Sequence, residues 1–103
     1  MKILLTNDDG IHAPGLFALY DALKSHHDLH IVAPEAEMSA VGHAPENSNR
    51  GLVDPIRVKT VQKNGGFFGY AVSGTPADCV KIAVREILDP PPDIILSGIN
   101  WGN

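Results

Sequence analysis

The feature that most constrains this chain is a series of short, uninterrupted apolar runs separated by segments of helical period. "KILLT" (residues 2 to 6), "LHIVAP" (29 to 34) and "DIILS" (93 to 97) place apolar side chains on consecutive positions instead of alternating them. Successive residues of a strand face opposite ways, so such runs suit strands covered on both sides, as in a parallel sheet. Between the first two, Leu16, Leu19, Tyr20 and Leu23 recur at i, i+3, i+4, i+7. That spacing makes one helical stripe, and Pro14 is well placed to start the helix. Strand, helix and strand within residues 2 to 34 form a βαβ unit, right-handed by general rule.

Downstream the pattern changes. Residues 35 to 55 are polar and irregular and read as a long loop. "IRVKTV" (56 to 61) alternates apolar and polar, as a half-exposed strand does, and "NGG" (64 to 66) is a turn signal before the returning strand "FFGYAVSG". Thr75, Pro76 and Asp78 spell a helix start, with Thr75 as N-cap, Pro76 at N1 and Asp78 in the first turn. Val80, Ala83, Val84 and Ile87 repeat the helical stripe, and "DPPPD" ends it. The expected architecture is α/β: a Rossmann-like three-layer sandwich with a mainly parallel sheet and an inserted hairpin. The "DIILS" strand is expected centrally in that sheet. No helix follows it before Asn103, so one sheet face is predicted to be poorly covered and the chain to be the N-terminal part of a longer protein.

Bulk properties narrow the partners. At 103 residues, 44 % hydrophobic and 19 % charged, the chain fits one globular domain. Eight Lys plus Arg stand against twelve Asp plus Glu, a formal charge of −4, with no basic run to hold a nucleic-acid duplex or an anionic membrane. No apolar stretch approaches the roughly 20 residues that span a bilayer. The single Cys79 excludes an intrachain disulfide and points to a reducing, cytoplasmic setting.

Chemistry is expected at the carboxyl ends of the parallel strands. Asp8 and Asp9, the loop from Pro34 to Ser39, and Ser97 to Asn100 all fall there. Two adjacent carboxylates near a low-dielectric core repel. They can share a site only past the end of the strand, and a divalent cation is the compensation that fits them best. The plainer alternative makes one Asp a helix cap and leaves the other solvated. Ser39 offers a hydroxyl, Asn100 a neutral carbonyl oxygen, and Asn7 either orients the acidic pair or contacts phosphate. His12 and His43 are loop histidines able to carry protons. His26, His27 and His30 fall at a helix end and a strand start, away from the rim, and Cys79 reads as core. Trp101 suits stacking on a base or packing. The G-x-G-x-x-G, G-x-x-x-x-G-K-[ST] and G-x-S-x-G fingerprints are absent.

"ILLTNDDGIHAPGL", "VAPEAEMSAVGHA", "YAVSGTPADCV" and "PDIILSGINWG" occur in an order that closely resembles the SurE (survival protein E) family of nucleotidases. The resemblance covers almost the whole chain. It implies a metal-dependent 5′-nucleotidase, a phosphoric monoester hydrolase that releases phosphate from nucleoside 5′- and 3′-monophosphates. It also implies Asp8, Asp9, Ser39 and Asn100 as metal ligands, with Asp8 and Asp9 catalytic and Asn7, Ser39 and Asn100 at the substrate. The cation is expected to be Mg²⁺ or Mn²⁺, with Ca²⁺ as an alternative, because the donors are all oxygen. Residues 1 to 103 are then the N-terminal part of a single SurE-like domain, in a protein that forms a homo-oligomer, dimer or tetramer. Here "PENSNRGLV" replaces the apolar run usual after "GHA". The rival reading is a non-catalytic nucleotide- or metal-binding fragment lacking the downstream phosphate-pocket segment.

Overall fold

A computed structural model describes residues 1–36 and 55–98. Strand β1 (Lys2–Thr6) leads through a short loop into helix α1 (Pro14–Leu23), which returns to β2 (Asp28–Pro34). Pro14 opens α1, as its position predicts, with Ala13 as an N-cap that makes no side-chain bond. Strands β3 (Val58–Lys63) and β4 (Gly66–Val72) form the hairpin. Helix α2 (Pro76–Ile82) runs into a wider turn over Ala83–Ile87, and β5 (Ile94–Ser97) follows.

These strands make one five-stranded sheet in the order β3-β4-β2-β1-β5. β1 pairs in parallel with β2 and with β5, and β2 pairs in parallel with β4. Only the β3–β4 pair is antiparallel, so the sheet is mainly parallel with a hairpin at one edge, as the patterning implies. At the hairpin turn Asn64 and Gly65 both take positive φ (54° and 81°) between the paired Lys63 and Gly66. That is the two-residue turn whose twist matches the flanking strands.

Alternation along β1 sorts the core. Ile3 and Leu5 join Ile11, Leu16, Ile31 and Phe68 on the α1 side, while Leu4 joins Val32, Val72, Cys79, Ala83 and Leu88 on the α2 side. Each sheet face thus carries one helix, which makes three layers. The start of α2 is as the sequence predicts. Asp78 N donates to Thr75 Oγ1 at 3.1 Å and Thr75 N donates to Asp78 Oδ2 at 2.9 Å, a reciprocal capping box behind Pro76. Among the described residues no helix is long and apolar enough to cross a membrane.

Three expectations need correction. The "DIILS" strand is not central: β2 occupies the middle, β1 lies beside it, and β5 is an edge strand among the described residues. Its Ile94 and Ile95 point to opposite faces and are 39 % and 46 % exposed, so the uncovered surface is an edge and not one whole face. β3 starts at Val58 instead of residue 56: Ser73 N still donates to Arg57 O at 2.9 Å, but Arg57 N turns to the Ser73 hydroxyl at 2.7 Å instead of returning the backbone bond, and the ladder ends there. Finally, Val84 is exposed although the helical stripe predicts it inside. The turn over Ala83–Ile87 is a π turn in which Leu88 N donates to Ala83 O at 2.8 Å. The wider turn shifts the phase of the buried face, and Leu88 is buried instead.

Candidate active site

β1 ends at Thr6, and Asn7, Asp8, Asp9 and Gly10 form the loop beyond it. The condition for two adjacent aspartates to share a site is therefore met: neither lies within the strand. Asp8 and Asp9 are both half-buried. Asn7 is 2 % exposed, and its amide is engaged twice by a single residue. Asn7 Nδ2 donates to Gly10 O at 2.9 Å, and Gly10 N donates to Asn7 Oδ1 at 3.2 Å. Gly10 has φ 107°, where a side chain is strained, which explains a glycine directly after the acidic pair.

The loop is tied to the sheet on both flanks. Ile11 N donates to Pro34 O at 2.8 Å, at the carboxyl end of β2, and the Ile11 side chain is fully buried. Gly98 N donates to Thr6 O at 2.7 Å, which brings the segment after β5 against the end of β1. Because β2, β1 and β5 are parallel neighbours, the three polar segments begin side by side on one rim. Ser39 and Asn100 themselves, with His43 and Trp101, lie outside the described residues. Among the described residues no group of three or more His, Cys, Asp and Glu side chains converges. The described part of the rim thus contributes a pair of carboxylates, an all-oxygen donor set suited to a hard divalent cation.

Beside this loop is a feature that the sequence reading missed. Arg57 Nη2 lies 3.0 Å from Glu35 Oε2, and Lys59 Nζ lies 3.9 Å from Glu35 Oε1. Arg57 N also donates to Ser73 Oγ at 2.7 Å. Glu35, Ala36, Arg57, Ser73 and Gly74 border a cavity of about 280 Å³ at the carboxyl ends of β2 and β4. The strand alternation in "IRVKT" does place Arg57 and Lys59 on one side. Their meeting with Glu35, however, depends on the sheet order.

Other candidates fall where the sequence places them. His26 and His27 follow α1 and His30 lies near the start of β2, at the sheet end opposite the acidic loop. His30 Nε2 is 3.1 Å from Asp28 Oδ2. His12 is exposed one residue past Ile11. Cys79 is fully buried, and its thiol is pushed up to about 12, mainly by burial and further by the nearby Asp78 charge. The Thr6 hydroxyl beside it works the other way, and Thr6 Oγ1 has no partner of normal hydrogen-bond geometry.

Fold and rim define an α/β protein of the Rossmann-like class, with a polar, acidic site where parallel strands end. The family model described as Survival protein SurE matches residues 3–103, and the chain belongs to that family. It is 59 % identical over 102 residues to the 5′-nucleotidase SurE of Syntrophobacter fumaroxidans, covering 99 % of this chain and 39 % of that protein. The 5′-nucleotidase SurE of Syntrophus aciditrophicus is 57 % identical over 102 residues, 99 % of this chain and 36 % of that protein. The crystal structure of the SurE protein from Aquifex aeolicus superposes with a TM-score of 0.78 at 40 % identity, covering 100 % of this chain and 39 % of that one. The chain thus spans less than two fifths of the length of these relatives.

Proposed function

We propose that the protein carrying this chain is a metal-dependent phosphatase that hydrolyses nucleoside 5′- and 3′-monophosphates to nucleoside and phosphate. The observation that carries the reading is the pair Asp8 and Asp9, held past the end of the interior strand β1 in a chain of the SurE family. Relatives named 5′-nucleotidase support the substrate class. Residues 1 to 103 form the N-terminal part of one catalytic domain. The protein is a cytoplasmic homo-oligomer, and the unpaired, buried Cys79 is in keeping with a reducing compartment.

Asp8 and Asp9, together with Ser39 and Asn100, would hold one divalent cation, Mg²⁺ or Mn²⁺, with Ca²⁺ also compatible with oxygen donors. Bound there, the cation supplies charge neutralisation on the phosphoryl oxygens and a water of lowered pKa. The carboxylates bring net negative charge to the rim, so a phosphate monoester is admitted only once that charge is neutralised. Ser39 and Asn100 also reach the substrate phosphate in this reading. The in-line displacement needs positioning and charge stabilisation more than a protein nucleophile. The test is release of inorganic phosphate from 5′-AMP, 5′-GMP and 3′-AMP by the protein with Mn²⁺. Nucleoside and phosphate are expected as products. Calorimetric binding of AMP with no phosphate released over hours would instead favour the binding-only alternative.

A further inference from the structure

We infer that Asn7 is a positioning residue whose side-chain amide clamps the acidic loop and presets the backbone from which Asp8 and Asp9 reach a cation. The inference rests on the metal-centre reading above. A buried primary amide must satisfy both a donor group and an acceptor. Asn7 does so on one residue, donating to Gly10 O at 2.9 Å and accepting from Gly10 N at 3.2 Å. These bonds close a ring over Asp8 and Asp9, the two residues between the bonded partners.

The clamp lies between two fixed points. Thr6 O is held by Gly98 N at 2.7 Å, and Ile11 N is held to Pro34 O at 2.8 Å. The chain therefore enters and leaves the loop at set positions, and the amide fixes its path between them. Gly10, at φ 107°, supplies the turn that lets its own N–H and C=O both face the Asn7 side chain.

Residue chemistry explains why asparagine fits this task. Aspartate keeps an acceptor for Gly10 N but sets a carboxylate against Gly10 O and adds a negative charge beside Asp8. Alanine supplies neither partner. Serine can retain an acceptor for Gly10 N and nothing for Gly10 O. At 2 % exposure the amide is occupied inside the loop. Its effect reaches a ligand through the neighbouring carboxylates. Without the clamp, two like charges on a looser loop separate, and the cation must order them on binding.

The test is calorimetry with Mn²⁺ alone, on wild-type protein, Asn7→Ala, Asn7→Ser and Val61→Ala, each at a temperature where it is fully folded. Val61 is buried in β3, away from the rim, so Val61→Ala reports what lost stability alone does. Asn7→Ala is expected to raise the Mn²⁺ Kd by roughly 10- to 100-fold, as for outer partners of metal ligands. Asn7→Ser should fall between, and Val61→Ala should lower the melting temperature with the Kd unchanged. In turnover assays the Asn7→Ala loss should shrink as Mn²⁺ is raised to saturation. Equal Mn²⁺ Kd for wild type and Asn7→Ala, or an equal rise in Val61→Ala, overturns the inference alone. Absence of Mn²⁺ binding to the wild type overturns the metal reading and the inference with it.

Discussion

Asp8 and Asp9 lie on a loop whose backbone is held at both ends. Asp8→Asn and Asp9→Asn remove charge without removing volume. Each is expected to cut AMP turnover by more than the roughly 100-fold seen for outer partners of metal ligands, with far-UV circular dichroism unchanged. His26→Ala, at an exposed position beyond α1, should leave turnover unaltered and stability within about 0.5 kcal/mol. The reverse pattern would move the site to the other end of the sheet. Cys79 makes a separate prediction, because its folded pKa is raised to about 12. Below the unfolded thiol's pKa of about 8.5 both states keep the proton. Between there and about 12 only the folded state keeps it, so stability falls as pH rises, by up to about 1.4 kcal/mol per unit. Urea unfolding at pH 8 and pH 10 should show a steeper loss for wild type than for Cys79→Val. Equal losses would mean that the thiol is not coupled to folding.

Helix α2 and strand β4 each depend on a single local device. Thr75→Ala removes the hydroxyl that accepts from Asp78 N and should cost about 1 kcal/mol in denaturant unfolding. At Gly69 a Cβ would come 2.6 Å from Ile31 O and 2.7 Å from Ile31 Cβ, both on the neighbouring strand β2. Gly69→Ala must therefore shift β4 from β2, at about 1–3 kcal/mol or more, and an unchanged midpoint would contradict the close approach. The same elements mark what a reader of the sequence can recover. The β1-α1-β2 unit and the capping box follow from local spacing, which depends only on nearby residues. Strand position does not. The apolar "DIILS" run looks central by composition, yet among the described residues β5 pairs with β1 alone and so lies at an edge. The π turn is hidden for a similar reason: one extra residue per turn leaves the apolar spacing readable as an ordinary helix until the burial of Val84 and Leu88 is known. Asp8 and Asp9 were legible as a charge anomaly, and the Glu35–Arg57 pair was not, since it joins separate strand ends.

Across the whole molecule, protection should grade from the middle of the sheet outward. β2, in the middle, and β1 beside it are flanked on both sides and line both cores, whereas β5 is an edge strand among the described residues, with Ile94 and Ile95 open to solvent. Amide hydrogen exchange should be slowest for Leu4 and Leu5 and clearly faster across Ile94–Ser97. Comparable protection would mean that β5 is covered in solution by further protein. The parallel order also sets the charge layout, with the acidic loop, the Glu35–Arg57–Lys59 group and the end of β5 along one rim. Under the proposed function, phosphate release at this rim depends on a divalent cation held by Asp8 and Asp9. The most direct measurement is hydrolysis of 5′-AMP by the protein after exhaustive chelation, followed by addition of Mn²⁺. Chelation should abolish phosphate release, and Mn²⁺ should restore it in wild type but not in Asp8→Asn. A rate that survives chelation unchanged would contradict it.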